Sequence, residues 1–328
     1  MFKGKNIFIA GGTGSWGQEL VKQLLPMQPN RIVIYSRGEL AQVNMQRAFN
    51  NNILQFIIGD VRDEKAVLRA TERVDIIFNL AALKHVPVCE NQPQEAIKTN
   101  IEGTINLINA SVVNHAKKFI LVSTDKAVSP TNLYGMTKAV CEKLVIQANC
   151  MTKDTDFVCI RGGNVLGSNG SVVPFFINSI KKQNSVTVTD KLMTRFFLTL
   201  EEAIGLLFKA VIQSRGGEIF VMNMPSFRIV DLAEILIEYY GDSLTKIKVT
   251  GIREGEKINE ILISEHESRN TYVVDNDYFV ILPSINVNRE YDVNEKVSFS
   301  QFSTENNIKD RLCLVKMLNN GGFLPCLK

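Results

Sequence analysis

Short apolar segments alternate with amphipathic helical segments through the first half of the chain. Six segments are rich in Ile, Val, Phe and Leu and show little polar alternation, which is typical of strands buried on both faces of a parallel sheet. They are Asn6–Ala10, Arg31–Tyr35, Leu54–Ile58, Asp75–Leu80, Phe119–Ser123 and Phe157–Ile160. Helical periodicity lies between them, at Ser15–Leu25, Glu39–Phe49 and Glu95–His115. The pattern predicts an α/β fold with a doubly wound parallel sheet and right-handed crossovers.

The alternation changes after about Gly163, where helical segments mix with short strands and with loops rich in Gly, Asn and Ser. The helical segments are Val172–Gln183, Leu200–Gln213 and Val230–Tyr240. We predict a first domain over residues 1–164, to which a segment at about 200–222 returns. Most of residues 165–328 should form a smaller, substrate-binding lobe that covers one mouth of the sheet. A chain of 328 residues is long for one hydrophobic core, which favours this division.

Composition and charge exclude several classes of protein. Hydrophobic residues make up 45% of the chain and charged residues 22%, as in ordinary globular proteins. The formal net charge of +3 is too small to indicate a nucleic-acid surface. The N-terminus lacks a signal-peptide pattern, and no stretch approaches the apolar length that crosses a bilayer. We therefore expect a cytoplasmic protein that binds neither nucleic acid nor a membrane.

The cysteines and histidines carry no recognisable motif. The six cysteines show no C-x-x-C spacing, and in a reducing compartment they are expected to be free thiols rather than a disulfide framework. They are Cys89, Cys141, Cys150, Cys159, Cys313 and Cys326. The three histidines are scattered, so no metal site is expected.

A glycine-rich loop directly follows the first predicted strand. It runs Gly11, Gly12, Thr13, Gly14, Ser15, Trp16, Gly17, in which the first, fourth and seventh residues have the spacing G-x-x-G-x-x-G. Glycine permits a tight turn and a close approach of the backbone to a pyrophosphate at a helix N-terminus. Because the loop stands at the first strand-to-helix turn, it predicts a dinucleotide site on a Rossmann-type sheet rather than a plain tight turn.

The residues at the ends of the second and third strands bear on which dinucleotide binds. A site that prefers NAD places an acidic residue after the second strand, but this chain has Ser36 and Arg37 there. A hydroxyl beside a guanidinium suits the 2′-phosphate of NADP, although a surface arginine on a loop is the alternative. Asp60 and Val61 follow the third strand, where such a sheet commonly meets the adenine. We expect NADP.

A candidate catalytic pair follows the fifth strand. Tyr134 and Lys138 stand at i and i+4 on one helical face, so the ammonium is expected to lower the pKa of the phenol and make it a usable base. Thr124 lies at the C-terminal end of that strand, where catalytic groups of open α/β sheets gather. A Thr–Tyr–Lys set in this place is typical of a dehydrogenase that acts on a secondary alcohol.

Asp125 and Lys126 add an acid and a base beside these three residues. A simple alcohol dehydrogenase does not need them, and in isolation they would be interpreted as a solvated loop pair. Next to a redox site they indicate proton transfer at the carbon adjoining an oxidised centre.

Nearly the whole chain resembles the soluble UDP-N-acetylglucosamine 4,6-dehydratases that invert C5. These enzymes begin pseudaminic acid synthesis and belong to the extended short-chain dehydrogenase/reductase superfamily. The matching stretches are Gly11–Gly17, Gly59–Asp63, Ala81–Pro87, Lys98–Asn100, Ser123–Ala127, Asn132–Lys138, Gly163–Val165, Gly170–Pro174, Met193–Phe196, Gly216–Val221 and Gly251–Lys257. Membrane-anchored relatives that retain C5 usually carry methionine where this chain has Tyr134.

The resemblance implies a role for each catalytic candidate. Tyr134, with Lys138 and Thr124, would remove the C4 hydroxyl proton as hydride passes to NADP. Lys126 would then take the acidified C5 proton, and Asp125 would protonate the departing C6 hydroxyl to give a 5,6-ene. Hydride would return to C6, and protonation from the opposite face would invert C5.

The resemblance also implies binding residues. Further cofactor contacts would come from Ala81, Lys84 and Val165. The UDP-sugar would be bound by Lys84, Asn164, Val173, Arg195, Arg253 and Glu256. Relatives assemble as dimers to hexamers, so a homo-oligomer is expected.

Three positions depart from the family pattern. Gly38 and Ala41 stand where the family tends to have an acidic residue and a lysine after the second strand, and Gly162 replaces the tyrosine of an R-Y-G-N-V motif. A relative that accepts the 5,6-ene and only completes the C5 inversion would keep the same catalytic residues, so this alternative stays open. A regulatory protein that has lost catalysis is disfavoured, because all five catalytic candidates are present.

Overall fold

The computed structural model describes residues 1–168, 170–293 and 295–325, so that Cys326 lies outside the described residues. Within these ranges the largest sheet has nine strands. They are β1 (Asn6–Ala10), β2 (Arg31–Ser36), β3 (Leu54–Ile58), β4 (Ile76–Asn79), β5 (Lys118–Thr124), β6 (Asp156–Gly162), β10 (Ile219–Met222), β14 (Thr271–Val273) and β15 (Tyr278–Ile281). Their spatial order is β14-β15-β10-β6-β5-β4-β1-β2-β3. The order 3-2-1-4-5-6 of the first six strands, all parallel, is that of a Rossmann fold and confirms the predicted class.

The alternation of side chains along β1 explains how the sheet is buried on both faces. Ile7 and Ile9 point to one layer of packed apolar residues, and Phe8 and Ala10 point to the other. All four are fully buried, because helices cover both faces of the sheet. The six predicted strands are confirmed with ends that shift by at most two residues.

Helices on the two faces connect the strands. They are α1 (Ser15–Leu24), α2 (Glu39–Phe49), α3 (Glu64–Ala70), α4 (Val86–Asn91), α5 (Pro93–Ala96), α6 (Gly103–Val113), α7 (Leu133–Ala148) and α9 (Leu200–Gln213). The last of these packs against α1, and β10 then joins the sheet beside β6, so residues 200–222 lie with the first domain.

One predicted helix, Glu95–His115, has a different form. Between α5 and α6 the chain makes a π-helical segment at Ile97–Glu102. The wider turn places the side chain of Asn100 against the loop that follows β4, where its amide donates to the carbonyl of Leu83 at 3.0 Å and accepts from the Leu83 N–H at 2.8 Å. Such π segments are frequent at functional sites.

The smaller lobe contains three short sheets within the described residues. Their strands are β7 (Asn164–Val165), β8 (Ser185–Val188), β9 (Thr194–Leu198), β11 (Ser226–Arg228), β12 (Lys246–Val249), β13 (Ile261–Ile263) and β16 (Phe302–Ser303). They pair in the orders β11-β9-β7, β12-β8 and β13-β16. The helices are α8 (Val172–Gln183), α10 (Ile229–Tyr240), α11 (Glu265–Ser268) and α12 (Arg311–Asn320). An apolar cluster that includes Phe176, Phe227 and Leu232 forms the core of this lobe.

Residues 271–281 differ from the sequence-based division, which placed them in the smaller lobe. They form β14 and β15, a hairpin that extends the large sheet through antiparallel pairing of β15 with β10. The alternating residues Phe279 and Ile281 pack in one apolar layer of the first domain, and this packing holds the hairpin against the sheet.

Two further observations concern the length of the helices and the state of the cysteines. None of the helices in residues 1–168, 170–293 and 295–325 is long and apolar enough to cross a membrane. The cysteines that the structure describes are free thiols.

Candidate active site

The glycine loop has the shape that a pyrophosphate needs. Gly11 adopts a φ of +74°, and a Cβ on it would stand 2.9 Å from the backbone nitrogen of Ala81. A Cβ on Gly17 would stand 2.2 Å from the carbonyl oxygen of Gly12, so the loop can close only with glycine. Helix α1 then begins after Gly14, with no acidic residue in its first turn and no side chain at the N-cap position to bond its N–H groups. Its N–H groups therefore point at space suited to an anion, which fits a dinucleotide.

The ends of β2 and β3 bring two arginines to one carboxylate. Arg62 Nη2 lies 2.6 Å from Asp60 Oδ2, and Arg37 Nη1 lies 3.9 Å from the same oxygen. Although burial acts against it, hydrogen bonding to Arg62 lowers the pKa of Asp60. Ser36 accepts a hydrogen bond from Gln42 at 3.0 Å, and Val61 is buried in the core. Arg37 is about half exposed and stands at the position predicted to meet the ribose.

The loop that carries Ala81 and Lys84 follows β4 and borders the glycine loop. Asn100 anchors it from the π-helical segment and also donates to Thr137 Oγ1 of α7 at 2.9 Å. These hydrogen bonds connect the loop after β4, the π-helical segment and α7 beside the end of β5.

The catalytic candidates converge at the C-terminal end of β5. Thr124 donates to Asp125 Oδ1 at 2.9 Å, and Lys126 Nζ donates to the same oxygen at 2.9 Å. Asp125 is fully buried, and its other oxygen, Oδ2, has no hydrogen-bond partner among the described residues. A buried, half-satisfied carboxylate is costly unless something else engages it. This oxygen therefore retains unused hydrogen-bonding capacity.

Tyr134 completes this group from α7, where Lys126 and the Thr124 hydroxyl act on its phenol. The sequence led us to expect Lys138 to lower the pKa of the Tyr134 phenol. Instead, burial raises that pKa to about 12, and the cation that acts against burial is Lys126. The difference arises because helical spacing places two residues on one face without bringing their terminal atoms together.

Lys138 is buried one turn further along α7, and burial lowers the pKa of its ammonium. The groups that act against this shift are Cys141, Cys159 and Glu142. Glu142 belongs to a buried ion network, in which Arg161 Nη2 lies 2.7 Å from it and 2.7 Å from Glu267. Ser123 donates to Glu142 at 2.5 Å, so the network supports the strand that ends at the catalytic residues.

A second acid, Glu260, was missed from the sequence. It lies just before β13 and is 2% exposed. Its Oε1 is 3.8 Å from Lys126 Nζ and 3.8 Å from Arg195 Nε, and its Oε2 is 3.9 Å from Lys257 Nζ. Although burial opposes the charged form, Asp125 and then Glu260 raise the pKa of Lys126.

The predicted substrate residues are only partly brought together. Arg195 on β9 adjoins the catalytic cluster through Glu260 and donates to the carbonyl of Thr194 at 2.7 Å. Asn164 lies in β7, directly after β6. Arg253 and Glu256 share a loop, in which the Arg253 N–H donates to the Glu256 carboxylate at 3.2 Å.

Val173, which was predicted to bind the UDP-sugar, has its side chain fully buried in the core of the smaller lobe. The side chain is on the inward face of α8. Val165 is likewise largely buried.

No cluster of three or more His, Cys, Asp or Glu side chains that could hold a metal occurs in the part of the chain that the structure describes.

Comparison with known proteins gives consistent relationships. Residues 7–282 match the family described as "Polysaccharide biosynthesis protein". The chain is 46% identical over 289 residues to a "UDP-N-acetylglucosamine 4,6-dehydratase (inverting)" of Campylobacter jejuni, which covers 87% of this chain and 85% of that protein. It is 42% identical over 273 residues to a "UDP-glucose 4-epimerase" of Rickettsia felis, which covers 81% of this chain and 80% of that protein.

A solved structure supports the same relationship. The X-ray structure of Pen from Bacillus thuringiensis superposes with a TM-score of 0.93 at 35% sequence identity. The match covers 99% of this chain and 100% of that one. The two-lobed arrangement is therefore shared over the whole length.

Proposed function

Because the chain belongs to the polysaccharide biosynthesis protein family, we propose that it is an inverting UDP-N-acetylglucosamine 4,6-dehydratase. The observation that carries this proposal is the joined acid and base beside the Thr124–Tyr134 pair. Asp125 and Lys126 share a hydrogen bond of 2.9 Å, and Asp125 Oδ2 has no partner among the described residues. A redox site alone does not require such a pair, but an elimination next to a ketone does.

The first task of the protein is to release the proton of the C4 hydroxyl. Tyr134 takes this proton, and the Thr124 hydroxyl acts against burial to lower the pKa of the phenol. Lys126 favours the phenolate, because its positive charge acts on Tyr134.

The second task is elimination. Transfer of one proton from Lys126 Nζ to Asp125 Oδ1, 2.9 Å away, leaves a neutral amine and a carboxylic acid. The amine takes the proton from C5 as the C5–C6 double bond forms. The acid protonates the C6 hydroxyl, which leaves as water, and both side chains return to their ion pair.

For the cofactor, we propose NADP. When bound, it supplies the hydride acceptor for C4 and the hydride donor for C6. The glycine loop and the N-terminus of α1 would hold its pyrophosphate, and Ser36 and Arg37 would hold its 2′-phosphate. This choice is supported by the absence of an acid at either position after β2.

A second candidate is C4 epimerisation, which is favoured by the name of the Rickettsia felis relative. Epimerisation needs the same oxidation at C4 but no acid or base for C5 and C6. The buried Asp125 and its ion pair with Lys126 would then have no chemical task, and for this reason we place the dehydratase first.

The experiment follows UDP-N-acetylglucosamine by NMR during incubation with the protein in deuterated water. The proposal expects a 4-keto-6-deoxy product of L-arabino configuration with deuterium at C5. Conversion of the 5,6-ene without turnover of UDP-N-acetylglucosamine would assign only the later inversion step. A C4 epimer that has lost no water would assign the second candidate instead.

A further inference from the structure

Glu260 belongs to a segment of the smaller lobe that is attached directly to the catalytic loop. The carbonyl of Gly255 accepts hydrogen bonds from Thr131 at 3.0 Å and from Asn132 at 2.9 Å. Two residues further on, Lys257 Nζ donates to the carbonyl of Val128 at 2.7 Å. These contacts hold the segment across the loop that joins β5 to α7, and they bring Glu260 to the far side of Lys126.

The backbone of Glu260 is held by hydrogen bonds to Thr304. Its N–H donates to Thr304 Oγ1 at 3.0 Å, and its carbonyl accepts from the Thr304 N–H at 2.9 Å. Thr304 Oγ1 also accepts from Thr194 Oγ1 at 2.6 Å, which ties the position to β9. The backbone of residue 260 is therefore fixed relative to β9.

The side chain of Glu260 has no hydrogen bond of its own that would explain its burial. Its Oε2 is without a hydrogen-bond partner among the described residues, and the cations around it stand at 3.8–3.9 Å. A carboxylate buried in this way lowers the stability of a protein relative to an apolar residue. A role in the site gives a reason for its presence.

The charged groups that face Glu260 are Asp125, Lys126, Arg195 and Lys257. Burial raises the pKa of Glu260, and Lys126 is the main group that opposes this rise. For Lys126 the effect is reciprocal, because Glu260 is the second carboxylate, after Asp125, that raises its pKa against burial. The two side chains are thus electrostatically coupled.

We propose that Glu260 is a positioning residue for the elimination step, which strengthens Lys126 as a base and holds its amine beside Asp125. This inference rests on the proposed function. When Lys126 takes the C5 proton, a positive charge forms 3.8 Å from Glu260 Oε1, and a pre-oriented carboxylate stabilises that charge. Glu260 itself forms no bond to the substrate and exchanges no proton in this role.

The test compares Glu260→Gln with Glu305→Gln. Glutamine keeps the size of the side chain and removes the charge. Glu305 directly follows Thr304 in the chain but is exposed and interacts with Asn259, so its replacement controls for a lost charge in this region. Deuterium exchange at C5 should slow roughly tenfold in Glu260→Gln, and the pH at which exchange becomes half-maximal should fall by about one unit. C4 oxidation, followed by the absorbance of reduced nicotinamide in one turnover, should keep its rate.

A second readout does not depend on turnover. In protein labelled with 13C at the lysine side chains, the Lys126 signal is assigned by its loss in Lys126→Met and titrated without substrate. Its pKa should be lower in Glu260→Gln than in wild type and unchanged in Glu305→Gln. An equal pKa in wild type and Glu260→Gln would overturn the proposal.

Other outcomes are equally decisive. A slower C5 exchange at every pH, with its half-maximal pH unchanged, would show a purely structural role and overturn the proposal.

Should Glu260→Gln fail to fold, Glu260→Asp replaces it, because a shorter side chain moves the carboxylate away from Lys126. The Lys126 pKa should then fall, and an unchanged value would contradict the proposal. If wild-type protein converts no UDP-sugar, the proposed function fails, while the titration still tests the coupling.

Discussion

The indole of Trp16 lies over Gly162. A Cβ on residue 162 would stand 3.4 Å from Trp16 Cη2 and 3.5 Å from Trp16 Cζ2. Gly162 ends β6 and pairs with Thr124 of β5, so the indole borders the catalytic strand. The single tryptophan of the chain thus covers the position where resemblance to the dehydratases led us to expect a tyrosine.

This contact predicts that Trp16 and Gly162 depend on each other. Gly162→Tyr should lower the free energy of unfolding by about 1–3 kcal/mol, because the added ring has to displace the indole. Trp16→Phe/Gly162→Tyr should recover much of that loss, since the smaller ring leaves space. Urea unfolding of the two single variants and the double variant gives the coupling energy. Additive effects would mean that the two positions do not share this space.

The sequence was sufficient for those parts of the site that local spacing determines. Gly11, Gly14 and Gly17 follow the first strand directly, and Thr124, Asp125 and Lys126 end the fifth, so strand prediction alone placed both groups at one edge of the sheet. The direction in which a side chain points from a strand or helix is harder to predict, as the fully buried side chain of Val173 illustrates.

Contacts between distant segments could not be predicted. Glu260 reaches Lys126 only because the smaller lobe folds back over the loop after β5, and no local pattern contains that information. A weak signal existed, since Glu260 directly precedes the apolar residues Ile261–Ile263. A charged residue at the edge of a buried strand usually needs a partner.

The position of Arg37 predicts which dinucleotide binds more tightly. Arg37→Ala should raise the Kd for NADP by about 10–100-fold, because charge-assisted hydrogen bonds to a phosphate contribute about 1.5–3 kcal/mol. The Kd for NAD should change little. Calorimetric titration of both dinucleotides provides the measurement. Arg47→Ala is the matched control, since Arg47 is exposed on α2. Equal losses for both dinucleotides would contradict a 2′-phosphate contact.

Lys126 should influence C4 oxidation as well as elimination. Removal of its charge in Lys126→Met disfavours the phenolate of Tyr134, whose pKa is already raised to about 12 by burial. The pH at which oxidation becomes half-maximal should therefore move upward. Oxidation at neutral pH should become roughly tenfold slower for every pH unit by which this midpoint rises. Stopped-flow absorbance of reduced nicotinamide over a pH series measures the pH at which oxidation becomes half-maximal.

Lys138→Met provides the comparison for that experiment. Lys138 is not among the cations that act on Tyr134, so its removal should change the pH midpoint of C4 oxidation much less. A larger change of the midpoint in Lys138→Met than in Lys126→Met would restore the expectation drawn from helical spacing. Exchange of the C5 proton should be abolished in Lys126→Met whichever lysine acts on Tyr134. Normal exchange in this variant would contradict the assignment of Lys126 as the base.

The buried network of Glu142, Arg161 and Glu267 should make stability depend on acid pH. Although burial acts in the opposite direction, hydrogen bonding to Arg161 lowers the pKa of Glu267 to about 2. A depressed pKa in the folded state means that the stabilisation is complete above the unfolded value of about 4.3 and is lost as the pH falls towards 2. Wild type should thus exceed Glu267→Gln in unfolding free energy by about 1–3 kcal/mol at pH 7, and the difference should shrink below pH 5.

Arg161→Met distinguishes this linkage from simple loss of packing. It leaves Glu142 buried without its main cation, and it should cost about 3–5 kcal/mol at pH 7. Lower pH should relieve part of that cost, because Glu267, whose pKa Arg161 holds down against burial, can then be protonated in the variant. Urea unfolding at pH 7 and pH 4 measures both variants against wild type. A cost for Arg161→Met that is the same at the two pH values would mean that lost volume, rather than an unpaired carboxylate of Glu267, destabilises the protein.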